Sequence, residues 1–217
     1  MSDKIRRTPR PRRRRRRRRI LPLLLVLLLA AMAGLWLLRH PGGRVKPPEL
    51  PEWVTVDLLP VNEYSRPGTE LNRVNGIVVH YVGNPGTTAQ NNRDYFAGLA
   101  QTGETSASSH FVIGLEGEVI QCVPLDEIAY CSNHRNEDTI SIECCHPDGG
   151  GQFTPETYDA LVRLTAFLAD YYGLGQEQII RHYDVTGKLC PLYYVEHEEA
   201  WAQFRDDVFR TETGSRP

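Results

Sequence analysis

No internal repeat runs through the 217 residues, and no cysteine framework can be read from them. The first absence excludes a solenoid or a modular array. The second follows from an odd cysteine count of five in which Cys144 and Cys145 are adjacent, so a small scaffold stapled by disulfides is excluded as an organising principle. One disulfide among Cys122, Cys131, Cys144 and Cys145 stays open. What is present, 41% hydrophobic and 24% charged residues, suffices for one well-buried domain with length to spare.

Positive charge is scarce over most of the chain because it is concentrated at one end. Residues 1–19, MSDKIRRTPRPRRRRRRRR, hold eleven Arg and one Lys against one Asp, a net +11, whereas the other 198 residues carry 13 basic and 26 acidic side chains, a net −13. The overall −2 therefore hides two opposite objects. Residues 20–38, ILPLLLVLLLAAMAGLWLL, lack charge altogether and as a helix would span about 29 Å, the thickness of a bilayer core. The arginines then read as a solvated flank held in the cytoplasm, with everything after Arg39 outside the membrane. No nucleic-acid partner is expected, although such a run would attract phosphates. A cleaved signal peptide is the alternative, since Ala31-Met32-Ala33 has a small-x-small form, but Leu35 to Leu38 continue the apolar run beyond it.

Residues 39–56 lack both a helical and a strand period and are rich in Pro and Gly, which predicts a stiff tether reaching at most roughly 60 Å. The folded domain is expected over 57–210, with 211–217 as a frayed tail. Within it, β-branched apolar runs predict strands at 76–82, 109–114, 118–124, 139–145 and 178–185, the second and third joined as a hairpin through Leu115-Glu116-Gly117. Helices are expected over about 89–99, over 154–172 with Thr154 as N-cap, Pro155 at the first position and Gly173 at the end, and over 195–210. The pattern is α/β, a single domain with a central mixed β-sheet flanked by helices.

RHYDVTGKLCP, residues 181–191, holds a histidine, a lysine and a cysteine within nine positions. His182 at a strand end and Cys190 in the following loop could turn toward one metal ion, though that spacing alone also suits a satisfied histidine and a small core cysteine. His80 lies inside another apolar strand, where an imidazole needs a partner. Two strand histidines and one loop cysteine make three ligands for Zn2+ with one position left for water, the arrangement of a catalytic site. Lys188, two positions before Cys190, would stabilise an oxyanion if it is not simply a solvated lysine. Glu143 is an isolated carboxylate in TISIECC, on the side opposite Ile140, Ile142 and Cys144, and reads as a general base and acid or as a salt-bridged glutamate.

IVVHYVGNPGT, ASSHFVIGLEGEVIQCVP, DTISIECCH and RHYDVTGKLCP, in that order and spacing, resemble the zinc-dependent N-acetylmuramoyl-L-alanine amidases of the type 2 amidase family, relatives of phage endolysins and peptidoglycan recognition proteins. The resemblance covers about residues 57–207. It implies zinc on His80, His182 and Cys190, a water activated by Glu143, an intermediate steadied by Lys188, and hydrolysis of the amide between N-acetylmuramic acid and L-alanine in peptidoglycan. Ser109 stands where some relatives have a tyrosine, which places the proton transfers on Glu143. His110 is expected to line the pocket or support it, and not to bind the metal. A receptor that binds peptidoglycan without cutting it is the alternative in another class, and a purely structural zinc site would need a fourth protein ligand. The anchor would confine activity to membrane-proximal wall, and the acidic domain would be repelled by anionic wall polymers.

Overall fold

The computed structural model describes residues 45–211. The basic tail, the apolar segment 20–38, residues 39–44 and residues 212–217 lie outside the described residues. No described helix is long and apolar enough to cross a membrane.

The apolar runs become strands β1 (Val54–Val56), β2 (Gly76–Tyr81), β3 (Phe111–Ile113), β4 (Val119–Gln121), β5 (Thr139–Cys144) and β6 (Ile179–Arg181). They form one mixed sheet in the order β1-β4-β3-β5-β2-β6. Only the β3–β4 hairpin pairs antiparallel; the other neighbours run parallel. Gly117 makes the hairpin turn at φ +81°, and a Cβ there would stand 2.8 Å from the carbonyl oxygen of Glu156. That combination of left-handed backbone and close approach suits glycine.

Helices α1 (Ala89–Thr102), α2 (Pro155–Tyr172), α3 (His182–Thr186), α4 (Leu192–Glu196) and α5 (Glu198–Thr211) complete the domain. α2 has its expected ends: the Thr154 hydroxyl accepts from the Thr157 amide at 3.0 Å, Pro155 opens the helix, and Gly173 closes it at φ 65°. One face of the sheet, through Ile77, Val79, Phe111, Ile113, Ile140 and Ile142, packs with Leu161, Leu164 and Leu168 of α2 and Trp201, Phe204 and Val208 of α5. The other face is divided. α1 covers β3 and β4 with Ala89 and Phe96 against Val112, Ile120 and Cys122. Beside it, short segments close over β5 and β2: a 3-10 turn (Asn133–Glu137) and α3.

Three expectations change. The sheet begins inside the segment expected as a tether: Val54 to Val56 pair with Val119 to Gln121, Val45 is buried, and the Arg163 guanidinium lies 4.1 Å from the centre of the Trp53 ring. Prolines 47, 48 and 51 mask that strand in the sequence, yet a lead-in to an edge strand tolerates them. The last strand stops at Arg181, because the Asp184 carboxylate accepts from the Arg181 amide at 2.8 Å and turns the chain into α3. The closing helix breaks at His197, whose ring stacks on Tyr193 at 4.2 Å.

Candidate metal centre

β2 and β5 run parallel with His80 abreast of Glu143. Because side chains alternate along a strand, both leave the sheet on the face opposite the Ile77, Val79, Ile140 and Ile142 core. His182 arrives from the end of the neighbouring β6, and its loop is tightly held. The Arg181 guanidinium, itself buried, donates to the Tyr194 carbonyl at 2.7 Å, to Glu198 at 2.9 Å and to Asp184 at 2.8 Å. The Tyr183 amide donates to the Cys190 carbonyl at 2.9 Å, and Gly187 at φ 79° lets the chain turn back. Cys190 then precedes a cis peptide bond to Pro191.

The result brings His80, His182 and Cys190 together: one donor atom from each lies within 4.8 Å of the others, and all three residues are buried. Cys190 Sγ is 3.8 Å from His80 Nδ1, and the imidazole centres are 4.6 Å apart. The other nitrogen of each ring is occupied, His80 Nε2 lying 3.1 Å from Ser132 Oγ and His182 Nε2 2.9 Å from Asn133 Oδ1. His182 Nδ1 is buried without a partner. An orphaned buried nitrogen costs free energy unless a hydrogen-bond donor or a cation meets it, and this one belongs to a group of two imidazoles and a thiol. The donor set, two imidazoles and one sulfur, fits zinc.

Electrostatics point the same way. Burial pushes the pKa of His80 well below its ordinary value, helped by His182 and Lys188, and burial followed by Lys188 lowers that of His182. Both rings are therefore neutral and able to act as ligands at neutral pH. Burial pushes the Cys190 thiol up to about 12, so a thiolate there needs a cation beside it.

Glu143 is half-buried, but its Oε2 is sealed and unpartnered, and burial raises its pKa to about 8, against weaker opposition from Cys131 and Lys188. Lys188 is exposed at the rim, its charge felt by His80, His182 and Glu143. His110 lies outside the ligand cluster. Its Nε2 donates to the Glu127 carbonyl at 2.9 Å, and its Nδ1 accepts from the Ser141 amide at 3.0 Å, which ties the residue before β3 to β5.

Sequence reasoning missed Cys131, Ser132 and Asn133. Cys131 Sγ stands 3.5 Å from Glu143 Oε1 and forms a second compact group with His80 and Glu143. All five cysteines are free, so the disulfide left open does not form. His146 was passed over as well. It is buried, with Nε2 2.8 Å from the Val82 carbonyl and Nδ1 2.6 Å from that of Asp148, and it fastens the loop after β5 to the end of β2.

The family described as Amidase_2, N-acetylmuramoyl-L-alanine amidase, matches residues 70–192. The chain is similar to the N-acetylmuramoyl-L-alanine amidase CwlL of Bacillus licheniformis, 36% identical over 169 residues that cover 71% of this chain and 46% of that protein. It is 31% identical over 175 residues to the amidase BlyA of Bacillus subtilis strain 168, covering 71% of this chain and 46% of BlyA. The chain thus spans about half the length of the curated relatives it matches. Among solved structures, the catalytic domain of XlyA superposes with a TM-score of 0.60 at 24% identity, covering 71% of this chain and 98% of that one. The PlyG catalytic domain does so with a TM-score of 0.61 at 23% identity, covering 76% and 99%. These structural likenesses establish the mixed sheet flanked by helices.

Proposed function

The chain belongs to the N-acetylmuramoyl-L-alanine amidase family, and from that premise we propose that its domain hydrolyses the amide joining N-acetylmuramic acid to L-alanine in peptidoglycan. The observation that carries the reading is the meeting of His80, His182 and Cys190 around one point with Glu143 abreast of His80. His80 Nδ1, His182 Nδ1 and Cys190 Sγ would hold zinc. Bound there, zinc would supply Lewis-acid polarisation of the lactyl carbonyl and a more acidic water.

The remaining steps fall to this chain's own groups. Glu143, ionised in the charged complex, takes a proton from the attacking water at Oε2, its oxygen that has no hydrogen-bond partner. The water oxygen bonds to the carbonyl carbon, and the Lys188 ammonium draws in from the rim to offset the charge on the carbonyl oxygen. The carbon–nitrogen bond then breaks, and Glu143 returns its proton to the departing L-alanine amine. A burial-raised pKa suits a group that must both accept and donate.

The test is mass spectrometry of muropeptides incubated with the zinc-loaded chain and with Cys190→Ser. Free stem peptides beginning with L-alanine, absent in the variant, are the expected products. Muropeptides that bind but stay intact would replace the enzyme with a receptor.

Localisation belongs to the same proposal. The uncharged run 20–38 behind eleven arginines supports an anchor that holds the domain outside the membrane, near peptidoglycan. Recovery of the full chain in the membrane fraction after a high-salt wash is expected. A form in the medium with a new N-terminus near Gly34 would establish a cleaved signal instead.

A further inference from the structure

Three consecutive residues of one loop each touch a different member of the metal centre. Cys131 Sγ lies 3.5 Å from Glu143 Oε1, Ser132 Oγ lies 3.1 Å from His80 Nε2, and Asn133 Oδ1 lies 2.9 Å from His182 Nε2. The three functional residues come from β5, β2 and α3, so the loop joins groups that three separate elements deliver. Its backbone is pinned from within, as Asn136 Oδ1 accepts from the Cys131 amide at 3.1 Å and from the Ser132 amide at 2.6 Å.

The conformation of Asn133 shows that its side chain matters. It sits at φ 54°, the one non-glycine residue with positive φ among the described residues. Glycine adopts that region at less cost. Glycine, however, carries no acceptor, and the Asn133 amide oxygen takes the Nε2 hydrogen of His182. With that hydrogen committed, the lone pair of His182 rests on Nδ1, the buried nitrogen that has no other partner. Ser132 Oγ holds the far nitrogen of His80, and the Nδ1 of that ring faces Cys190. A ligand histidine ordinarily has its far nitrogen fixed in this way, by a carboxylate, a carbonyl or water.

We infer that Cys131-Ser132-Asn133 is a positioning strap: Asn133 sets the tautomer of His182, Ser132 holds the ring of His80 in orientation, and Cys131 orients Glu143. It rests on the metal-centre reading. Metal affinity should then depend on a loop that contributes no ligand.

The test is zinc affinity of the full chain, by competition with a chromophoric chelator, together with the cobalt(II) absorption spectrum and thermal unfolding in chelator. Asn133→Gly keeps the backbone and deletes the acceptor, Asn133→Asp keeps both, and Ser132→Ala removes the partner of His80. Zinc binding about 10–100-fold weaker is expected in Asn133→Gly and Ser132→Ala, with an altered cobalt spectrum; Asn133→Gly should unfold in chelator no lower than the wild type, whereas Ser132→Ala, which strands a buried nitrogen of His80, should unfold lower. Asn133→Asp should stay within about threefold of wild type, and so should Cys131→Ala, whose loss should appear in kcat and not in KM. Wild-type affinity in Asn133→Gly, or equal losses in Asn133→Gly and Asn133→Asp, would overturn the inference. A tenfold loss of zinc affinity in Cys131→Ala would make that residue a ligand and overturn its assignment. A wild-type chain that takes up no zinc would remove the metal centre itself, and the strap with it.

Discussion

The two faces of the sheet are built from alternate residues of the same strands, yet they do opposite work. On β5, Ile140, Ile142 and Cys144 enter a dry core under α2 and α5, whereas Ser141 and Glu143, one step away along the backbone, face polar partners. On β2, Val79 packs into that core and its neighbour His80 meets Cys190 and Ser132. The dry face is closed by two long amphipathic helices. The wet half of the other face is closed by a 3-10 turn and a helix of five residues, which bury little apolar area and instead supply hydrogen-bonding groups. A two-residue period thus lets one strand stabilise the fold with alternate residues and present the candidate site with those between them.

The sharpest way to break this division is to change adjacent residues of β5. Glu143→Gln should reduce muropeptide hydrolysis by roughly 10²–10⁴-fold, the usual weight of a general base. The variant should nevertheless fold well. A carboxyl whose folded pKa is about 8 binds its proton more tightly folded than unfolded, so in the metal-free chain its contribution to stability falls as pH rises from about 4.5 to about 8. Removing the charge removes that loss, and Glu143→Gln should unfold at a higher Tm than wild type at pH 8 in chelator. Ile142→Ala should do the reverse: about 2–5 kcal/mol less stability in denaturant unfolding, with zinc affinity per folded molecule unchanged. If it were Ile142→Ala that abolished zinc binding, the faces would not be independent.

The dry face was the legible one. Ile77, Val79, Ile140 and Ile142 announce themselves as short β-branched runs, and Thr154, Pro155 and Gly173 mark both ends of α2. On the wet face, His80, His182, Cys190, Glu143 and Lys188 were reachable because RHYDVTGKLCP is a dense motif and Glu143 interrupts an apolar strand. Ser132 and Asn133 were not, since they meet their partners across 52 and 49 residues from a loop with no period. The first strand was hidden by prolines, and β6 was read too long because the capping of Arg181 by Asp184 overrides the apolar pattern through Val185.

His110 marks the boundary between the two regimes, and acid tests it. Burial brings its pKa down to about 4, and the Ser141 amide occupies the lone pair that a proton would need. The unfolded chain therefore binds the proton more readily. The stability that His110 contributes is complete above about pH 6.5 and is lost as pH falls toward 4, by about 3 kcal/mol in all. Tm measured from pH 7 to pH 4 should show this slope in wild type and a flatter one in His110→Gln. An equally steep fall in the variant would assign the acid sensitivity elsewhere.

Lys188 carries the smallest expected effect and sharpens the comparison most finely. Its side chain is exposed, so water screens its charge and removing it leaves no cavity. Lys188→Met should leave Tm within about a degree of wild type, as surface substitutions do. Its effect should fall on kcat, roughly tenfold, because its ammonium acts on charge that develops only as the carbonyl is attacked. Lys188→Arg should recover only part of that loss, since a planar guanidinium restores the charge but not the compact, mobile ammonium. Steady-state hydrolysis of a soluble muropeptide separates the cases. A rise in KM at constant kcat would make Lys188 a substrate-binding residue of the rim, and the chemistry of the wet face would then rest on Glu143 and the metal ligands without it.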